Sequence, residues 1–200
     1  AFTRFHGIRP SQARAGGRVR SFSRLSVKLI LSGGNVMEYK IVKKDAFTLV
    51  CARRHVNKPQ GDTATADISA FWRQCGAGGL FERLEKYGRF DHFGGVLGVC
   101  FSSEMDESGF PYGIGAEYNG VPLAGEDLEL VEIPPATYAV FPCRGPMPDA
   151  FRSTYLQICS EFFPQSRYEY GNGTELEVYP SANTDDPNYY CEIWIAVREK

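Results

Sequence analysis

The sequence predicts an α+β protein in which duplicated β-β-α-β-β-like units form one curved antiparallel sheet. Two helices cover one face, leaving the other free for a ligand groove. Three observations carry this. The apolar pattern runs strand, strand, helix, strand, strand, and then repeats that order. Its strand-like runs are bounded by turn-forming residues, as antiparallel pairing requires. The repeats also echo each other in sequence: residues 41–50 (IVKKDAFTLV) align with residues 131–140 (VEIPPATYAV). This offset of 90 residues pairs Ala46 with Ala136, Val50 with Val140 and, just beyond, Arg54 with Arg144.

Residues 1–14 read as a helix, a turn at His6-Gly7 and a second helix opened by Pro10-Ser11. Residues 15–35 read as a basic, glycine- and serine-bearing linker with one apolar stretch, Leu25 to Leu31. From Met37 the pattern changes. Tyr39–Val42 and Phe47–Arg53 are strand-like and are split by Lys44-Asp45. Asp67–Tyr87 is helical, with Ile68, Phe71, Trp72 and Cys75 spaced at three to four, and Gly76-Ala77-Gly78-Gly79 interrupts it. Val96–Phe101 and Tyr112–Tyr118 form a hairpin pattern. In the second unit Leu128–Ile133 and Thr137–Cys143 are strands and Pro148–Phe163 is a helix, followed by strands Glu175–Tyr179 and Tyr190–Val197. The domain division that follows is a basic tail and linker over 1–36 and a folded domain over 37–200.

Charge divides the same way. The first 37 residues hold seven basic side chains and no acidic one. That leaves 15 of the 22 basic residues against 24 acidic ones in the remainder, a formal −9. Such asymmetry points to a segment facing nucleic acid joined to something else. No apolar run is long enough to cross a membrane, and the start has no secretory signal pattern. The six cysteines include no CxxC, and four of them (Cys51, Cys100, Cys143, Cys191) fall in strand-like runs, as expected for buried thiols of a cytoplasmic protein. His6, His55 and His92 are scattered, so neither a metal nor a cofactor is expected.

Strand alternation assigns faces. In Glu175–Tyr179 the apolar Leu176 and Val178 should face the helices, which turns Glu175, Glu177 and Tyr179 to the open face. In Cys191–Val197 the odd positions are core and Glu192 and Trp194 point the other way. If a hairpin pairs Tyr179 with Tyr190, Glu177 lies opposite Glu192, and two carboxylates that close would raise a pKa or await a cation. A one-residue slip removes that arrangement.

Two segments resemble known families. Ala1–Arg14 (AFTRFHGIRPSQAR) resembles the end of the AraC-type DNA-binding domain, which carries a Phe, a basic residue, Phe, Gly, an apolar residue, Pro, Ser and a closing Arg. The resemblance implies that the helix-turn-helix reader lies upstream, with Arg4, Arg9 and Arg14 adding phosphate contacts. Residues 37–200 resemble the GyrI-like effector domain of AraC-type and MerR-type regulators, through Leu130–Phe141 (LVEIPPATYAVF), Leu176–Tyr179 (LEVY), Glu192–Val197 (EIWIAV) and Tyr112–Gly115 (YGIG). Ala196 stands where that family often has Pro.

That resemblance implies a small-molecule effector bound in an aromatic groove around Glu177, with Tyr179, Trp194, Trp72, Tyr112 and Phe141 as walls and Glu192 nearby. The ligand expected is small, largely apolar and able to carry positive charge, because a carboxylate among rings favours a lipophilic cation. Two other roles remain open. One is hydrolysis of a reactive small molecule by Glu177 with Tyr179 or Tyr112; the other is protein binding of the gyrase-inhibitor kind. A homo-oligomer is compatible with the sequence.

Overall fold

A computed structural model describes residues 37–57, 63–171 and 173–200, together with Ser11 and Arg14. Contacts divide the chain into two units, Ala1–Asn35 and Val36–Lys200, and the second holds the sheet. Ten strands form one open antiparallel sheet: β1 (Lys40–Lys44), β2 (Phe47–Asn57), β3 (Gly88–Arg89), β4 (Val96–Cys100), β5 (Gly109–Tyr118), β6 (Glu129–Ile133), β7 (Ala136–Arg144), β8 (Tyr168–Tyr170), β9 (Glu175–Tyr179) and β10 (Tyr190–Glu199). The order is β1-β7-β10-β9-β4-β5-β2-β6, with β3 attached to β5 and β8 to β10. The α+β class and the duplicated strand–helix order follow the sequence expectation. The two- and three-residue strands β3 and β8 are too short to leave a periodic signature.

The repeat is written into the register. The first strand of each unit pairs with the second strand of the other: Val42 faces Tyr138, and Val131 faces Leu49. A shift of 89 residues (42 to 131, 49 to 138) interchanges these pairs. An offset of 90 keeps the pairing as well (42 to 132, 48 to 138) but exchanges the faces of the sheet, and so it is corrected by one residue. It equates Val50, which packs beneath the first unit's helices, with Val140, which packs on the opposite face. The identities it aligned, Ala46/Ala136 and Val50/Val140, are coincidental.

Helix α1 (Thr63–Ala77) buries Ile68, Phe71, Trp72 and Cys75 with β2 and β5 side chains. Gly79, at φ 73°, separates it from α2 (Leu80–Tyr87), whose Leu80, Leu84 and Tyr87 are buried. Only glycine takes that left-handed turn without strain. In the second unit α3 (Asp149–Gln157) runs on through a π-helical stretch, Ile158–Phe162, into a last turn, Phe163–Gln165. Pro164 lies in that turn, where its ring opposes the carbonyl four residues back, and the widened ladder ahead of it accommodates the clash.

Both sheet faces are buried. The helix side holds Val50, Tyr112, Ile114 and Ala116 under α1 and α2, and Ala139, Phe141, Ile193 and Ile195 under α3. The opposite side holds Leu49, Leu97, Tyr138, Val140, Leu176, Val178 and Trp194, covered by Phe93 and Phe101 from connecting segments. Leu176 and Val178 therefore face away from the helices. The expectation for β9 fails because alternation identifies the helix side only where the other face is polar. For β10 it holds: Cys191, Ile193, Ile195 and Val197 are on the helix side.

Candidate functional site

At the centre of the sheet, on its helix side, β9 presents Glu175, Glu177 and Tyr179 side by side. Register fixes their neighbours. Glu177 lies opposite Ile193 of β10 and Gly98 of β4, and Glu175 lies opposite Cys100. The hairpin of β9 and β10 is thus slipped by one residue from the pairing of Tyr179 with Tyr190, and Val178 faces Glu192 instead. A one-residue slip exchanges faces. Glu192 and Trp194 consequently sit on the far side of the sheet from Glu177, and the expected carboxylate pair is instead Glu175 with Glu177.

Two phenols converge on one carboxylate oxygen. The Tyr112 hydroxyl donates to Glu177 Oε2 at 2.6 Å, and the Tyr179 hydroxyl donates to the same atom at 2.8 Å. Trp72 Nε1 donates to the Tyr112 hydroxyl at 3.2 Å. The Trp72 ring meets that of Tyr179 edge-on, with centroids 5.0 Å apart. Space for this cluster comes from Gly98, where a Cβ would lie 2.6 Å from Glu177 Oε2 and collide with the Tyr112 hydroxyl. From α3, the Tyr155 hydroxyl donates to Glu175 Oε2 at 3.4 Å.

The electrostatics follow from burial without a counter-ion. Burial raises the pKa of Glu177, and the hydrogen bonds from Tyr112 and Tyr179 oppose that rise. Burial, then the charge of Glu177, lifts Glu175 to about 7, against the hydrogen bond from Tyr155. Tyr112 and Tyr179 are pushed well above 10 by burial and by Glu177. Among the described residues neither Glu175 nor Glu177 takes part in an ion pair, whereas eleven other pairings of Asp or Glu with Lys or Arg do form.

Of the residues singled out in the sequence, the structure brings together Glu177, Tyr179, Tyr112 and Trp72. Phe141 shares their face but stands two strands away, beyond Ile193, roughly 10 Å at normal strand spacing. Its ring packs on Phe162 at 4.8 Å, so it is core rather than wall. Arg4 and Arg9 lie outside the described residues, and Arg14 is an exposed helical residue. Glu175, Cys100, Tyr155 and Gly98 join the site without having been among the residues expected to bind the ligand. Alternation alone put Glu175 beside Glu177; the other three come from elements whose approach no local pattern reports. Among the described residues no cluster of three or more His, Cys, Asp or Glu is arranged to hold a metal ion, and no helix is long and apolar enough to cross a membrane.

The family model Cass2, described as integron-associated effector binding protein, matches residues 40–197. No curated protein matches the chain. Among solved structures, a transcription regulation protein of Staphylococcus aureus MU50 aligns with a TM-score of 0.67 at 22% identity, covering 82% of this chain and 99% of that one. The protein SAV2435, solved bound to tetraphenylphosphonium, aligns at 0.67 and 21% identity over 81% and 94%. EcmrR, solved in complex with DNA, aligns at 0.59 and 14% identity over 82% of this chain and 58% of that one. At these identities the likeness is one of fold.

Proposed function

The chain belongs to the Cass2 family of integron-associated effector binding proteins, and on that premise we propose that residues 37–200 are the ligand-sensing part of a bacterial transcriptional regulator. The effector is a small, largely apolar organic cation seated against Glu177. One observation carries this reading: Glu177 is a carboxylate held by Tyr112 and Tyr179 next to Trp72, beside a second carboxylate, with no cationic partner among the described residues. A desolvated carboxylate without a counter-ion is poorly compensated. A lipophilic cation supplies the charge, ring-face attraction and apolar area together.

The bound tetraphenylphosphonium of SAV2435 makes that ion the natural probe. Calorimetric titration should give saturable binding of tetraphenylphosphonium and much weaker binding of neutral triphenylphosphine oxide. In Glu177→Gln the cation should lose about 1–3 kcal/mol of affinity. Equal binding of cation and neutral compound, or indifference to the substitution, would overturn the assignment.

The output of binding is a change in DNA affinity. The basic stretch with Arg4, Arg9 and Arg14 would continue an upstream DNA reader, and effector binding would bias that reader through a coupling free energy. Retained DNA affinity on effector addition, measured with the whole gene product, would remove this output. Hydrolysis is the second reading, favoured by Glu177 lying within hydrogen-bonding reach of two phenols. Turnover of a reactive compound, abolished in Glu177→Gln, would select it over sensing.

A further inference from the structure

The sheet face turned away from the helices carries its own carboxylate among aromatic rings. A cavity of ≈ 380 Å³ opens there, with Lys40, Phe93, Val178, Tyr190, Glu192 and Trp194 in its lining. Glu192 Oε1 accepts hydrogen bonds from Lys40 Nζ and from the Tyr190 hydroxyl, each at 2.9 Å. Glu192 Oε2 accepts from Trp194 Nε1 at 2.8 Å. Lys40 Nζ also stands 5.9 Å from the centroid of the Trp194 ring.

We propose that this cavity is a second binding site, for a small aromatic ammonium whose cationic head replaces Lys40 on Glu192. It is separate from the Glu177 site and does not depend on it. Lys40 shows what the position accepts: an ammonium paired with a carboxylate beside an indole face. It is also easily displaced. The Lys40 side chain is 58% exposed and that of Glu192 only 15%. An ion pair with one such wet partner holds weakly, while the drier carboxylate must keep a donor or cation. Tyr190 and Trp194 fix the carboxylate from the other sides, so an incoming cation meets a pre-set acceptor. A ligand ring would add apolar contact with Phe93 and Val178 that a lysine stem does not supply. Of the neighbouring charges, Lys44 and His92 both contact Glu117, at 3.8 and 2.8 Å, and the Arg144 guanidinium stands 4.9 Å from the centroid of the Tyr190 ring. The volume suits a single-ring ammonium.

The two tryptophans of the sequence separate the sites, since Trp72 lies by Glu177 and Trp194 by Glu192. Each indole N–H gives its own signal in a ¹H–¹⁵N spectrum, assigned with Trp72→Phe. Titrating the full chain with benzyltrimethylammonium should shift the Trp194 signal saturably. Glu192→Gln should weaken that response about tenfold or more, and Lys40→Met should tighten it several-fold by removing the resident competitor. Glu177→Gln should leave it unchanged, while the Trp72 signal reports on the other site. A Trp194 signal that does not move, equal affinity in Glu192→Gln, or weaker binding in Lys40→Met would overturn the proposal. If Glu192→Gln does not fold, the Lys40→Met titration decides.

Discussion

Glu177 and Gly98 stand directly opposite each other in the ladder between β9 and β4, where the two halves of the sheet meet. They are also equivalent positions of the two repeats. A shift of 79 residues carries Gly98 and its partner Ile114 onto Glu177 and its partner Ile193 (98 to 177, 114 to 193). Duplication thus placed one position face to face with its own copy. Keeping glycine in one copy leaves room for a carboxylate in the other, together with the tyrosines that hold it.

Gly98→Ala should therefore damage the site directly. The new Cβ would press on Glu177 Oε2 and on the Tyr112 hydroxyl, which are held to each other and to Tyr179 by hydrogen bonds. Overpacking of this kind costs about 1–3 kcal/mol. Urea unfolding should show the loss, and tetraphenylphosphonium binding should weaken with it. Unchanged values of both would mean that the cluster yields freely.

Tyr112→Phe and Tyr179→Phe each remove one donor from Glu177 Oε2. Both hydrogen bonds oppose the burial that raises the Glu177 pKa, so losing either raises it further. Cation affinity followed against pH by calorimetry should then need a higher pH for full strength in either variant. Tyr112→Phe should be the more destabilising, by about 1 kcal/mol, because Trp72 Nε1 loses its acceptor as well. Superimposable pH profiles would count against the hydrogen-bonded carboxylate as the cation's partner.

Glu175 has a definite sign in pH. Its pKa is raised from 4.5 to about 7 in the folded state. The folded protein binds the extra proton more tightly than the unfolded chain, so this contribution to stability is complete below about 4.5 and is lost as pH rises through about 7. Glu175→Gln should flatten the decline between pH 5 and 8 and leave the protein more stable at pH 8, by on the order of 2 kcal/mol. Thermal unfolding across that range checks it; a decline as steep as in the unsubstituted protein would sink it.

On the other face, Glu117 is 5% exposed and is contacted by Arg89 Nη2 at 2.9 Å, His92 Nδ1 at 2.8 Å and Lys44 Nζ at 3.8 Å. Glu117→Ala would strand three basic groups around an empty centre. Removing one side of a buried pair costs about 3–5 kcal/mol. Arg89 and His92 are nearly half exposed and can rehydrate, so about 2 kcal/mol is expected. Denaturant unfolding that shows no loss would make the cluster a solvated one.

The order of the longer strands and helices, the repetition of that order and the carboxylate at the centre of the site are legible in the amino-acid sequence alone. Strand periods and glycine breaks are local signals, and they place β4, β5, β9, β10 and the α1–α2 break without reference to the rest of the chain. Tertiary structure decided which side chains meet. The exchange of first strands between repeats, the one-residue slip of β9 against β10 and the burial of both sheet faces are properties of register. Register depends on hydrogen bonds between segments distant in sequence, and a single-residue change reverses every face. Glu177 therefore lost Glu192 and Trp194 as neighbours and gained Glu175 and Gly98.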